Sequence, residues 1–354
     1  MRKEHKIRVG ISIGDLNGIG PEIVIKALED KRMLDFFTPV IFASIKTMSF
    51  FKNHMNSDIS FHGIDKFNQL IDSRINVLNV WKEPVEINFG EENKTIGTYA
   101  VKSLEGAVEA LKSNDIDVLV TAPINKQNIQ SDTFNFPGHT NYIAKQLNGK
   151  SLMFMVTDHL KVGLLTDHVP VEVVGKSITP DLIKEKIDLM YQSLIMDFQI
   201  RRPKIAVLGI NPHAGDGGVI GNEDDDVLKP TLSQLRDDGK LVYGPYAADT
   251  FFGTGNYRNF DAVLAAYHDQ GLVPFKTISF GEGVNYTAGL SKIRTSPDHG
   301  TGYDIAGKNM ADASSFKQAI FTALKIYNNR NSYQKLTQNP LKLSQKSSQK
   351  SFDA

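Results

Sequence analysis

Short apolar runs alternate along this chain with stretches of helical spacing, and most of the runs stop at a polar cluster rich in glycine or proline. Ile7 to Ile13, Pro39 to Ser44, Asp117 to Thr121, Lys204 to Ile210 and Ala262 to Ala266 read as strands, with a further strand predicted at Ile75 to Val80. Thr98 to Lys112 and roughly Pro180 to Phe198 place apolar residues on one helical face. Met153 to Thr157 and Val162 to Thr166 flank Asp158-His159 and predict an antiparallel pair. Strand alternating with helix is the pattern of an α/β protein with a parallel sheet. Residues 331 to 354, which include LSQKSSQKS, are polar and repetitive and predict a disordered tail.

In open α/β sheets ligands bind beyond the carboxyl ends of strands, so the clusters that follow the runs are the candidates for chemistry. His168, His213 and His268 each follow an apolar strand, within Asp-His-Val-Pro, Asn-Pro-His-Ala and Tyr-His-Asp-Gln. A lone histidine is more often structural than a ligand. Three at the ends of parallel neighbouring strands converge, and three imidazoles leave an open position, the ligand count of a catalytic divalent-metal site. Asp249 and Asp269 are candidates to orient those imidazoles or to accept a proton. Lys276, Asn285 and Arg294 sit in a glycine-rich stretch and suit a phosphate or carboxylate, against the ordinary reading of Lys and Arg as solvated surface. Thr140 either caps the helix that begins there or holds an anion together with His139. The turn Gly14 to Glu22 is either an anion site or a tight strand-to-helix connection, and its spacing is neither the dinucleotide fingerprint nor a Walker loop. The acidic run Asn222 to Asp226 reads as the first turn of a helix.

Composition narrows the field. A chain of 354 residues suggests about two domains. Lys+Arg and Asp+Glu both number 40, and this balance argues against nucleic acid or an anionic membrane as the main partner. There is no cysteine, so disulfides, thiolate metal sites and cysteine nucleophiles are excluded and a metal must rest on His, Asp or Glu. The N-terminus shows no signal sequence and no run reaches transmembrane length, which makes the cytoplasm the expected location.

Taken in order, GDLNGIGPE, TAPINK, FPGHT, DHVP, NPHAGDGG, ADTFF, YHDQGL and IRTSPDHGT make residues 7 to 330 resemble the 4-hydroxythreonine-4-phosphate dehydrogenase family of pyridoxal phosphate biosynthesis. Leu16 departs from the proline that many members carry after Gly-Asp. The resemblance implies a homodimer in which His168, His213 and His268 bind one divalent metal (Zn, Mg, Mn or Co) across the interface. It places a small phosphorylated hydroxy amino acid on His139, Thr140, Lys276, Asn285 and Arg294. The implied reaction is oxidation of 4-phosphooxy-L-threonine to 2-amino-3-oxo-4-phosphooxybutanoate, followed by decarboxylation to 3-amino-2-oxopropyl phosphate. Asp249, Asp269 and Lys276 remain open as candidates for the base.

The implied fold is isocitrate/isopropylmalate dehydrogenase-like: two α/β/α domains around a cleft, with no Rossmann fingerprint. Residues 1–125 plus 300–330 form the expected first domain, and 126–299 form the second, with the metal and substrate residues. Asp298 to Lys308 resembles the cofactor loop of those enzymes, which makes Gly300, Asp304 and Gly307 the expected contacts for NAD or NADP. Competing readings are a dehydrogenase of threonate or erythronate 4-phosphate, an acyltransferase of related fold, and a non-catalytic sensor of phosphorylated metabolites.

Overall fold

The computed structural model describes residues 6–339 except 133, 137 and 280, so the expected tail beyond 339 lies outside the described residues. In chain order the strands are β1 Arg8–Ser12, β2 Thr38–Ala43, β3 Phe61–Ile64, β4 Ile75–Asn79, β5 Val118–Thr121, β6 Leu152–Val156, β7 Lys161–Leu164, β8 Lys204–Leu208, β9 Leu241–Tyr246, β10 Ala262–Ala265, β11 Val284–Ala288 and β12 Ile293–Pro297. The helices are α1 Gly20–Leu28, α2 Met33–Phe36, α3 Ile45–His54, α4 Lys94–Lys112, α5 His139–Gln146, α6 Val174–Ser177, α7 Pro180–Met196, α8 Lys229–Asp237, α9 Ala248–Gly253, α10 His268–Ile278 and α11 Ser314–Thr337.

All the strands join one sheet in the order β3-β4-β2-β1-β5-β12-β11-β6-β7-β10-β8-β9. The first six in that order are mutually parallel. The last four are also mutually parallel. Between them, β11 pairs antiparallel with both β12 and β6, and β6 pairs antiparallel with β7, as expected around Asp158-His159. Three reversals leave the two parallel blocks running in opposite directions. β7, β10 and β8 are adjacent and parallel, which meets the condition set above for the strands preceding His168, His268 and His213.

Side chains alternate across a sheet, so each strand contributes to two faces. One face is a single continuous core: Ile11, Val120, Ile293, Tyr286, Phe154, Leu264 and Val207 pack there with Ile23, Ile187, Leu232 and Phe316 from α1, α7, α8 and α11. The other face splits into two separate cores. Phe42 and Leu119 pack under α4 and α5 in one, while Met155, Val162, Val263 and Phe275 pack with α9 and α10 in the other. Between these cores β5, β12 and β11 direct buried polar side chains, namely Thr121, Arg294 and Ser296, and the partly buried Asn285 to the lining of one cavity on the same face. The functional pocket is therefore a gap in the helical cover.

One expectation changes and another gains a detail. α11 continues to Thr337, so residues 331–337 are helix and not tail. Arg330 holds this end of the helix down: its Nε donates to Asp197 Oδ1 at 2.6 Å, Nη2 donates to Tyr286 Oη at 2.8 Å, and Nη1 donates to Leu290 O at 3.0 Å. Polar composition does not melt a segment whose preceding turn is anchored in this way. The acidic run does open a helix, since Asp224–Leu228 form a π-helical turn that leads into α8, and Asp224 in addition turns inward and accepts from the amides of Ile210 and Asn211 at 2.8 and 2.9 Å. From that helix start it also fastens the His213 loop.

Asp197 is 1% exposed and Arg330 is its cationic partner. Removing one member of a buried ion pair strands the other, at a cost of about 3 kcal/mol or more. Arg330→Met is expected to lower unfolding free energy by about that amount in urea titration. A loss under about 1 kcal/mol would show that the latch is not structural.

Candidate active site

A cavity of about 270 Å³ lies over the polar gap. Its floor is Met153 and Met155 of β6, Asn285 of β11, and Arg294 and Ser296 of β12. Loops from both strand blocks close over it: Pro123, Lys126 and Asp298 to Gly300 follow β5 and β12, while Asp167, His168 and His268 follow β7 and β10. Of the residues expected from sequence, His139, Thr140, His168, His268, Lys276, Asn285, Arg294 and Gly300 all line this one cavity. Thr140 is not the cap of α5; Gly138 occupies that position and makes no side-chain cap bond.

Arg294 is 2% exposed, and among the described residues no carboxylate pairs with it. Its Nε and Nη2 donate to Thr121 Oγ1 at 3.1 and 2.6 Å, and its Nη1 donates to Thr287 Oγ1 at 3.2 Å. Nη2 lies 3.2 Å from His139 Nδ1. Burial pushes the guanidinium down from its ordinary value. Burial, and then the Arg294 and Lys126 charges, push His139 well below the ordinary imidazole value, so it stands neutral beside the arginine. His139 Nε2, Asn285 Oδ1 and His299 Nε2 are buried in the pocket wall without a hydrogen-bond partner. Buried polar atoms of a native site are normally satisfied, and these remain for a ligand to satisfy.

The His168 and His268 rings lie with centres 5.6 Å apart, tilted 45° to each other. His268 Nδ1 lies 2.7 Å from Asp269 Oδ1, the orienting place foreseen for that carboxylate. His168 Nδ1 lies 3.8 Å from Asp167 Oδ2, and Lys126 Nζ is 3.3 Å from His168 Nε2. The nearby His168 ring and the His168 amide, which donates to Asp167 Oδ1 at 2.7 Å, outweigh burial and hold Asp167 at about 2. His213 does not line the pocket. It is exposed, on a run from His213 to Gly218 in which every φ is positive. Among the described residues no three His, Asp or Glu side chains gather closely enough to hold a metal ion. Asp249, in α9, and Asp269 are exposed and outside the cavity lining, whereas Lys276 lines it and donates to Asp298 O at 3.0 Å.

Within the segment resembling a cofactor loop, Gly300 reaches the cavity rim, while Asp304 and Gly307 lie outside its lining. Gly307 has φ 73°, and a Cβ there would meet Phe89 at 2.6 Å. The turn Gly14 to Glu22 is a tight connection: a Cβ on Gly18 would lie 2.6 Å from Thr301 O, and one on Gly20 would lie 2.5 Å from Ile13 O.

The family described as pyridoxal phosphate biosynthetic protein PdxA matches residues 35–323. The chain belongs to the PdxA family. It is 44% identical over 342 residues to a 4-hydroxythreonine-4-phosphate dehydrogenase of Bacteroides thetaiotaomicron, covering 96% of this chain and 94% of that protein. A second 4-hydroxythreonine-4-phosphate dehydrogenase, from a Sulfurihydrogenibium species, is 40% identical over 90% of this chain and 98% of its own length. The crystal structure of the Klebsiella pneumoniae 4-hydroxythreonine-4-phosphate dehydrogenase superposes with a TM-score of 0.78 at 30% identity, covering 92% of this chain and 99% of that one. Family membership makes this PdxA protein an NAD(P)-dependent oxidoreductase.

Reading the sequence by strand ends alone passed over Thr121, Thr287, Ser296 and His299. Only Thr287, which alternates with Asn285 in β11, carries a period-2 signal; Thr121 is the lone polar end of β5, and Ser296 belongs to a continuous polar run in β12. His299 was noticed only as part of a loop.

Two outcomes follow from this PdxA site. Thr121→Val removes both hydroxyl contacts to Arg294 and should weaken inorganic phosphate binding ~10-fold by calorimetry, with Thr121→Ser restoring it; equal affinity would show that Thr121 does not set the arginine. A neutral His139 leaves the unfolded chain to take up a proton below about pH 6.5 while the folded chain does not. Stability is therefore lost as pH falls below that value. The thermal midpoint should decline from about pH 7 to 5.5, and His139→Gln should flatten the decline; an unaltered slope would mean that His139 is charged in the fold.

Proposed function

We propose that the chain oxidises 4-phosphooxy-L-threonine with NAD or NADP to 2-amino-3-oxo-4-phosphooxybutanoate, which loses carbon dioxide to give 3-amino-2-oxopropyl phosphate. One observation carries the reading: a buried guanidinium without a carboxylate partner, beside Lys126 and Lys276, in a cavity sized for a small molecule. A substrate bearing a phosphate at one end and a carboxylate at the other supplies the charge that this pocket lacks. The names of the two relatives agree with it.

Arg294, Lys276, Asn285, His139 and Thr140 would hold the two anionic ends and so restrict rotation at the carbon between them, presenting its hydrogen in one direction. Of Asp249, Asp269 and Lys276, Lys276 alone lines the cavity, which favours it as the group that moves the hydroxyl proton. The loop with Gly300 at the rim would seat the nicotinamide cofactor.

The donors fit a divalent cation (Zn, Mg, Mn or Co), since ring centres 5.6 Å apart suit two imidazoles each about 2.0–2.1 Å from one ion. His168 and His268 would hold it with His213 of a second copy. When bound, such an ion lowers the pKa of a substrate hydroxyl and stabilises enolate charge. A homodimer with the site at its interface is supported by His213 standing outside its own pocket. It is also supported by Val171 and Val219, 75% and 82% exposed on the loops that follow His168 and His213.

The two-part division, 1–125 with 300–330 against 126–299, is supported by the opposed strand blocks in all but β12, which lies within 126–299 yet pairs in parallel with β5 of the first block. No helix among the described residues is long and apolar enough to cross a membrane; the cytoplasm is the proposed location.

The test is NADH absorbance with 4-phosphooxy-L-threonine, NAD and Mg, Mn, Co or Zn. Metal-dependent NADH with matching carbon dioxide is expected, while a signal with threonate 4-phosphate alone would move the substrate to an acid-sugar phosphate. His213→Ala should lose bound zinc in equilibrium dialysis with an unchanged circular dichroism spectrum. Retained zinc would remove His213 from the metal site.

A further inference from the structure

The segment that follows β12 is fastened to two other loops by a buried carboxyl. Asp15, 1% exposed, accepts from Tyr303 Oη at 2.8 Å through Oδ2 and from the Asn17 amide at 2.9 Å through Oδ1. Asn128 Nδ2 donates to the same phenol oxygen at 3.1 Å. Backbone contacts close the joint: Ile19 N donates to Thr301 O at 2.8 Å, and the Gly18 and Gly90 positions leave no room for a Cβ against Thr301 O and Tyr303 O. Burial and the neighbouring carboxyl both raise Tyr303, so its hydroxyl keeps its proton and donates. A carboxyl this deep, spent on one phenol and one amide, does nothing for the fold that a nonpolar pair of the same shape would not do. What it fixes is the position of the residues between Asp298 and Tyr303, which include the pocket-lining His299 and Gly300.

We propose that Asp15 and Tyr303 are positioning residues for the dinucleotide: their hydrogen bond holds the segment that carries Gly300 in the conformation that binds NAD(P). The proposal rests on the reading of that segment as the cofactor loop. Neither residue lines the cavity, so both act through the loop.

The experiment is a double-mutant cycle on NADH affinity, read by fluorescence titration. Tyr303→Phe should weaken NADH ~10-fold, the worth of one hydrogen bond, Asp15→Ala at least as much because it also releases the Asn17 amide, and the double variant should bind no more weakly than Asp15→Ala alone. Inorganic phosphate affinity, set at Arg294, should stay at the wild-type value in all three, which separates loss of loop position from loss of fold. Gly300→Val distinguishes the two levels of the argument. If it weakens NADH while Tyr303→Phe does not, the clasp has no positioning role. If Gly300→Val also binds NADH as wild type does, the segment is not the cofactor loop and the proposal falls with it. Additive losses in the double variant would equally overturn the coupling.

Discussion

A guanidinium removed from water without a carboxylate beside it is one of the more costly things a fold can contain, several kcal/mol even after relaxation. Arg294 is in that position at the centre of the sheet. The hydroxyls of Thr121 and Thr287 satisfy some of its donors, and the neutral His139 adds no second charge. These groups orient the cation without neutralising it. An arrangement that is poor for stability and good for anion binding is what a preorganised site requires. Arg330 makes the contrast within the same molecule, since it is also largely buried but is paired with Asp197 and serves the fold.

The sheet's topology makes room for that arginine. Parallel strands need cover on both faces, and here one face receives it without a break while the other is covered in two pieces. The interruption falls where β11 and β6 reverse the strand direction. Because the two parallel blocks run in opposite directions, loops that leave the carboxyl ends of both can close over the gap from two sides. The histidine loops come from one block and the Lys126 and His299 loops from the other. A site between two such blocks can change shape if they move relative to each other, whereas the positions of Arg294 and Asn285 are fixed by ladder hydrogen bonds to their neighbours.

Much of this was legible in the chain before folding. Apolar runs marked eight of the strands within about two residues, but not β3, β9, β11 or β12, while polar clusters at strand ends marked loops that surround the cavity. What pattern could not give was long-range geometry. The order of strands decides whether His168, His213 and His268 meet; two of them do within one chain, and the exposed His213 does not. Thr121 and Thr287 looked like ordinary β-formers, because a hydroxyl in a strand shows nothing of the guanidinium on the adjacent strand, distant in sequence or across the hairpin. Residues 331–337 were misjudged for a related reason: composition predicts disorder, while Arg330 is anchored by residues far away in sequence. The acidic run was placed correctly at a helix start, but local helix-dipole reasoning could not show that Asp224 also reaches the amides of Ile210 and Asn211 on another loop.

The central claim is that Arg294 is kept uncompensated for a ligand's sake. Arg294→Met tests it directly, with phosphate affinity and thermal midpoint measured on the same sample. The account predicts that phosphate binding falls on the order of 100-fold while the midpoint holds or rises, because a buried lone charge has been exchanged for an apolar chain of similar length. Retained phosphate affinity, or a midpoint that drops as it would for a broken ion pair, would contradict it.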